Sequence, residues 1–205
     1  MIIISIIQLK DIAQKIPFWQ QSEWSYCQVW CMQKHHATLE RVSLYDDFRV
    51  GLRGTLYTIR VNMKIDITVG DAIIPHEIEY PYKLMFEERT IPVMAYNIST
   101  ILAEKIETIL SRNVGNTRAR DFYDAYILLA LNKDTLSRSE LLNALQTKAA
   151  ERGSTSAVAA HAKHLKNIIE SPDIAKIWDT YCKKYPYAKG IALKEAVSLI
   201  GWIFE

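Results

Sequence analysis

The sequence predicts an α+β (α/β) protein in which a small mixed sheet from the N-terminal half packs on a helical C-terminal half. Residues 44–96 are rich in β-branched and aromatic side chains and are broken by Gly and Pro, as in strands joined by turns. From Tyr96 onward, apolar residues recur at helical spacing between capping residues. The hydrophobic fraction of 49% is sufficient for a packed core.

We therefore divide the chain into a β-rich part, residues 1–95, and a helical part, residues 96–205. Residues 1–39 show weak periodicity and are assigned to no element. The first helix is expected to begin near Asn97 or Ser99 and to end before Gly115. Later helices are predicted from Thr117 as an N-cap, from the Ser137 to Glu140 capping box to before Gly153, and over 155–170, 173–184 and 190–204.

Composition excludes several classes of protein. Lys and Arg total 25 against 23 acidic residues, so nucleic-acid contact would have to come from local patches rather than from net charge. Three cysteines are an odd number without the density of a disulfide scaffold, which favours a reducing compartment. The apolar start MIIISIIQLK is too short to span a bilayer. We expect a cytoplasmic protein with no membrane partner.

One lysine of the first predicted helix stands where the periodicity demands an apolar residue. Lys105 falls within a stripe made by Ile98, Ile101, Leu102, Ile106 and Ile109. Burial of an unpaired ammonium is costly, so Lys105 requires an anionic partner. The next helix offers Asp121 and Asp124.

The start of that second helix is rich in charge. Asp121 borders its apolar face, whereas Asp124 is expected to point further out and to pair with Arg120 four residues earlier. Our hypothesis is a partly buried Lys105–Asp121 pair whose lysine also meets a polyphosphate, with Arg118 and Arg120 as further cations. The alternative is that Asp121 is a first-turn acid favoured by the helix dipole alone.

A second group of carboxylates follows a predicted strand. Apolar residues occupy the odd positions from Val61 to Val69, so Asp66 is expected to face away from the core, and the Gly70 turn places Asp71 at the rim. Carboxylates at a strand end suit Mg²⁺ in phosphoryl-transfer sites, with Asp66 as the ligand. The alternative is a solvated strand face.

Three motifs in this order carry a resemblance: KIDITVGD, then AYNISTILAEKIETILSRN, then NTRARDFYDAYIL. Together they resemble the AbiEii/AbiGii-type nucleotidyltransferase toxins of abortive-infection and type IV toxin-antitoxin systems. The resemblance implies a DNA polymerase β-like nucleotidyltransferase fold, transfer of nucleotides from a nucleoside triphosphate to an RNA acceptor such as tRNA, Mg²⁺, and a cognate antitoxin. It places Lys105 on the triphosphate, Asp121 as the acid of the third motif and Asp66 as the carboxylate of the second.

The first motif of that family, a Gly-Ser turn followed by Asp-x-Asp, has no counterpart, because the sequence contains no Asp-x-Asp. This absence predicts an N-terminally truncated form of the toxin and leaves open whether the chain still transfers nucleotides. Two alternatives stay open: a non-catalytic remnant that binds nucleotide or RNA and keeps the Lys105–Asp121 pair for structure, and a purely structural partner-binding domain.

Overall fold

The computed structural model describes residues 38–41, 48–56, 58–67, 70–85 and 87–205. Strands precede helices along the chain, which confirms the α+β prediction. The described residues up to Asp71 belong to one compact unit, and Ala72–Glu205 form a second. The predicted segment 1–39 lies outside the described residues except for its last two positions.

The N-terminal unit contains a three-stranded sheet in the order β1-β2-β3, formed by β1 (Thr38–Arg41), β2 (Phe48–Leu56) and β3 (Ile59–Ile67). Both pairings are antiparallel. The described strands therefore lack the parallel pairing that a mixed sheet requires. Strand β1 also begins before residue 44, although we expected the β region to start there. This short charged segment forms a strand because it pairs with β2, not because of its local β propensity.

The alternation of apolar and polar residues in β3 does not bury either face of the strand at its first residues. Ile59 and Val61 are exposed, as are the polar Arg60 and Asn62 between them. Alternation determines which residues share a face, but another layer must cover that face before the residues are buried. The predicted apolar core face is therefore wrong at Val61.

The second unit begins with a two-stranded antiparallel hairpin, β4 (Ile78–Lys83) and β5 (Thr90–Ala95). Seven helices follow: α1 (Ile98–Arg112), α2 (Ala119–Asn132), α3 (Arg138–Glu151), α4 (Thr155–Ala159), α5 (His161–Glu170), α6 (Pro172–Lys184) and α7 (Leu193–Gly201). Short 3₁₀ turns occupy Asn113–Gly115, Pro186–Ala188 and Trp202–Phe204. The predicted bounds of the first and third helices are confirmed, whereas the predicted 155–170 helix is divided at Ala160.

Side-chain caps position α1 and α3. Asn97 accepts a hydrogen bond from the Thr100 amide at 2.8 Å, and Ser137 accepts one from the Glu140 amide at 3.3 Å. The Thr100 hydroxyl also exchanges hydrogen bonds with the backbone of Ile74, both at 3.0 Å. These bonds attach the segment before β4 to the first turn of α1.

Helix α2 begins one residue later than predicted. Arg118, not Thr117, occupies the N-cap position, and its side chain makes no capping bond. The buried Asn116 supplies the missing acceptor, since its Oδ1 accepts from the Arg118 amide at 3.0 Å. The Asn of the third motif therefore shapes the turn that leads into α2.

The core lies between α1, α2, α3 and α7. Helix α1 packs against α2 and α3, and α2 also packs against α7. The buried side chains that α1 and α2 contribute are Leu102, Ala103, Ile106, Ile109, Leu110, Phe122, Ala125 and Leu129. This packing fixes α1 and α2 side by side, with Lys105 at their shared edge.

Candidate functional site

Lys105 of α1 lies between two carboxylates of α2. Its Nζ donates to Asp121 Oδ1 at 2.9 Å and lies 2.9 Å from Asp124 Oδ2. The side chains of Lys105, Asp121 and Asp124 are 30%, 8% and 23% exposed, so the group forms a cluster at the edge of the core. We call these three residues the Lys105 cluster.

The position of Asp124 differs in part from the prediction. Its pairing with Arg120 is present, with 3.6 Å from Arg120 Nε to Asp124 Oδ2. The same carboxylate oxygen also contacts Lys105, so both candidate partners bind this lysine. Residues three apart are neighbours on a helix, so one ammonium on α1 reaches both aspartates of α2.

The two aspartates keep Lys105 charged. Burial alone would lower its pKa, but hydrogen bonds to Asp124 and Asp121 and the charges of both carboxylates raise the pKa above its usual value. Lys105 is therefore a fixed cation at neutral pH rather than a proton donor.

This raised pKa predicts an alkaline loss of stability. Below about pH 10.4, the ordinary pKa of lysine, Lys105 is protonated in the folded and unfolded chains alike, so the ion pairs contribute in full. As the pH rises, the unfolded chain releases this proton first, and the contribution is lost as the pH passes the folded pKa. In urea denaturation above about pH 10, the wild type should lose stability faster than Lys105→Met.

Tyr181 also titrates in the alkaline range, but both chains contain it, so the comparison isolates Lys105. Parallel pH profiles of the two chains would contradict the prediction.

Two groups in the cluster have unused hydrogen-bonding capacity. A lysine ammonium has three N–H donors, and only two face the carboxylates. Asp121 Oδ2 is buried and has no hydrogen-bond partner among the described residues. The cluster therefore offers one cationic donor at a partly exposed position, while its spare acceptor is buried.

A family model described as the nucleotidyl transferase AbiEii toxin of type IV toxin-antitoxin systems matches residues 31–198. The chain belongs to the AbiEii family. This confirms the resemblance found from the three motifs and implies a cognate antitoxin as a partner. No curated protein and no solved structure matches the chain.

The two arginines of the third motif are exposed at the start of α2; they are Arg118 and Arg120. Arg120 is bound to Asp124, whereas the described residues form no salt bridge with Arg118. Both lie on the helix that supplies Asp121, but their contact with a nucleotide stays a prediction.

Asp66 and Asp71 belong to the N-terminal unit. Asp66 is the penultimate residue of β3 and is paired with Arg49 of β2 in the backbone register. Asp71 follows Gly70, whose φ of 78° lies in the left-handed region that favours glycine. Their participation in one site with Lys105 stays a prediction.

The Lys105 cluster does not fit a magnesium centre. Within the described residues, no three His, Cys, Asp or Glu side chains are grouped as metal ligands. An ammonium already lies between the only two carboxylates of the cluster and would repel a divalent cation. Magnesium at Asp66 stays a prediction.

None of the helices in the part of the chain that the structure describes combines the length and the apolar character needed to cross a bilayer.

Proposed function

We propose that this AbiEii-family chain transfers a nucleotide from a nucleoside triphosphate to an RNA acceptor such as tRNA, with Lys105 binding the triphosphate. One observation carries the proposal. Two carboxylates hold the Lys105 ammonium protonated at a partly exposed position, and its third N–H has no acceptor in the described residues. A phosphate oxygen is the natural acceptor for such a donor.

In the proposed reaction, a hydroxyl oxygen of the RNA attacks the α-phosphorus, and the bond to the pyrophosphate leaving group breaks. Negative charge builds up on the phosphate oxygens, and Lys105 stabilises this charge without any proton transfer of its own. Asp121 Oδ1 fixes the ammonium in place, and the proton of the attacking hydroxyl passes to solvent water.

Further residues take supporting roles in the proposal. Arg118 and Arg120 bind additional phosphate oxygens, and Asp124 holds Lys105 from its second side. Mg²⁺, with Asp66 as its carboxylate and Asp71 beside it, would supply further charge neutralisation when bound. The substrates are cytoplasmic molecules, so we expect the protein in the cytoplasm.

A second candidate function is binding without catalysis. Two carboxylates already neutralise Lys105, as in a structural ion pair, and the sequence lacks Asp-x-Asp. A remnant of this kind would bind nucleotide or RNA but transfer nothing.

Incubation with labelled nucleoside triphosphates, Mg²⁺ and total tRNA separates the two candidates. We expect the wild type to label RNA. The labelling rate of Asp121→Asn should be at least about 100-fold lower, because the variant keeps the shape of the side chain but loses the charge that fixes the Lys105 ammonium. Asp173→Asn is the matched control, since Asp173 is also a first-turn acid but is exposed on α6.

Equal labelling by the wild type and Asp121→Asn would overturn the role of Asp121. An absence of labelling by the wild type, with triphosphate binding retained, would favour the non-catalytic candidate.

A further inference from the structure

Four tyrosines from three elements meet beside α2. Tyr123 lies on α2, Tyr181 on α6, Tyr185 directly after α6, and Tyr187 in the following 3₁₀ turn. Ring centroids are 4.9 Å apart for Tyr123 and Tyr187, 4.7 Å for Tyr181 and Tyr185, and 5.5 Å for Tyr185 and Tyr187. We call these four residues the tyrosine cluster.

The cluster is anchored on its inner side and open on its outer side. Tyr181 stacks on the buried Trp178 at 5.9 Å, and Trp178 Nε1 donates to the Ile191 carbonyl at 3.0 Å. Tyr187 is 54% exposed, yet its hydroxyl is hydrogen-bonded to that of Tyr181 at 3.0 Å. The outer ring is therefore held in place while much of its surface faces solvent.

The tyrosine cluster adjoins the Lys105 cluster. Tyr123 immediately precedes Asp124 in the sequence, and Asp124 binds Lys105. Burial and the hydrogen bond to Tyr187 raise the pKa of Tyr181, and the charges of Asp124 and Arg120 also act on it, in opposite directions. The aromatic surface and the ammonium thus share Asp124 as a neighbour.

Cations border the aromatic surface. Lys184 Nζ lies 5.4 Å from the centre of the Tyr185 ring, and the Arg120 side chain is 77% exposed. Aromatic rings interleaved with cations match the bases and phosphates of a single strand, whose bases are free to stack. A duplex keeps its base faces stacked inside and offers none of them along its length to such a surface.

We propose that the tyrosine cluster stacks bases near the end of a single-stranded RNA and so presents that end to Lys105 and Asp121. The identity of this RNA as the acceptor rests on the proposed function. The stacking itself is a binding property and requires no catalysis.

The test is the affinity of the full chain for a fluorescent single-stranded RNA oligonucleotide, measured without triphosphate or Mg²⁺. Tyr187→Ala should weaken binding by about fivefold to 150-fold, the range seen when one stacking ring is removed. Tyr187→Phe keeps the ring and should stay within about threefold of the wild type, because stacking uses the π face and not the hydroxyl. Tyr80→Ala, which removes an exposed tyrosine of β4, should have no effect.

An unchanged affinity of Tyr187→Ala for single-stranded RNA would overturn the inference. So would an equal loss of affinity for duplex RNA, or a variant that loses binding only to the cognate antitoxin. No binding of single-stranded RNA by the wild type would also overturn it. Tyr187-dependent RNA binding without any labelling of RNA by the wild type would support the inference while the proposed transfer fails.

Discussion

Replacement of Lys105 with Met is expected to abolish detectable nucleotide transfer and to lower the free energy of unfolding by about 2 kcal/mol. The variant loses the donor to phosphate and leaves the buried Asp121 without its cation, while Asp124 keeps only the exposed Arg120. The stability loss stays below that of a fully buried pair, because Lys105 itself is partly exposed. Transfer assays and urea denaturation measure the two effects.

A double variant separates the structural role of Lys105 from its function. Lys105→Met with Asp121→Asn removes both charges of the more buried pair, so stability should recover toward the wild type while transfer stays absent. Lys166→Met is the control, because Lys166 is an exposed lysine of α5 in a loose pair with Glu170. Unchanged triphosphate binding together with unchanged or higher stability in Lys105→Met would show that the lysine is merely tolerated.

Phe122→Ala is expected to destabilise the protein by about 3–5 kcal/mol. Phe122 is fully buried between the helices, although it lies directly after Asp121 in the third motif. The cost combines lost apolar burial with the cavity that Ala leaves. Urea denaturation measures it, and Phe122→Leu should cost less because it fills more of the space. A Phe122→Ala midpoint equal to that of the wild type would show that this position is not part of the core.

The Lys105–Asp121 pair could be predicted because it depends on local periodicity. A lysine within the apolar stripe of α1 has to find an anion, and an acid at the edge of the α2 stripe is the nearest candidate. Asp124 was the second candidate, but the sequence favoured its pairing with Arg120. That both aspartates bind Lys105 depends on how closely α1 and α2 approach, which neither helix encodes alone. The start of α2 was missed because Asn116 caps it from outside the usual N-cap position.

The burial of Lys148 on α3 also could not be predicted from the sequence. Lys148 is only 1% exposed and lies 3.3 Å from Glu151 and 3.7 Å from Glu104 of α1. The sequence of α3 alone does not predict this burial, since Glu151 lies on the same helix but Glu104 comes from another. The tyrosine cluster likewise joins residues 123 and 181–187, which are distant in sequence. The spacing of Tyr181, Tyr185 and Tyr187 was the one signal that sequence analysis could have used.

The central claim is that the third N–H of Lys105 binds the triphosphate. Calorimetric titration with a non-hydrolysable nucleoside triphosphate tests it most directly, with Lys105→Met beside Lys166→Met. Loss of one charge-assisted hydrogen bond should weaken binding about 10-fold to 150-fold in Lys105→Met and leave Lys166→Met unchanged. Equal affinity in the wild type and both variants would contradict the claim.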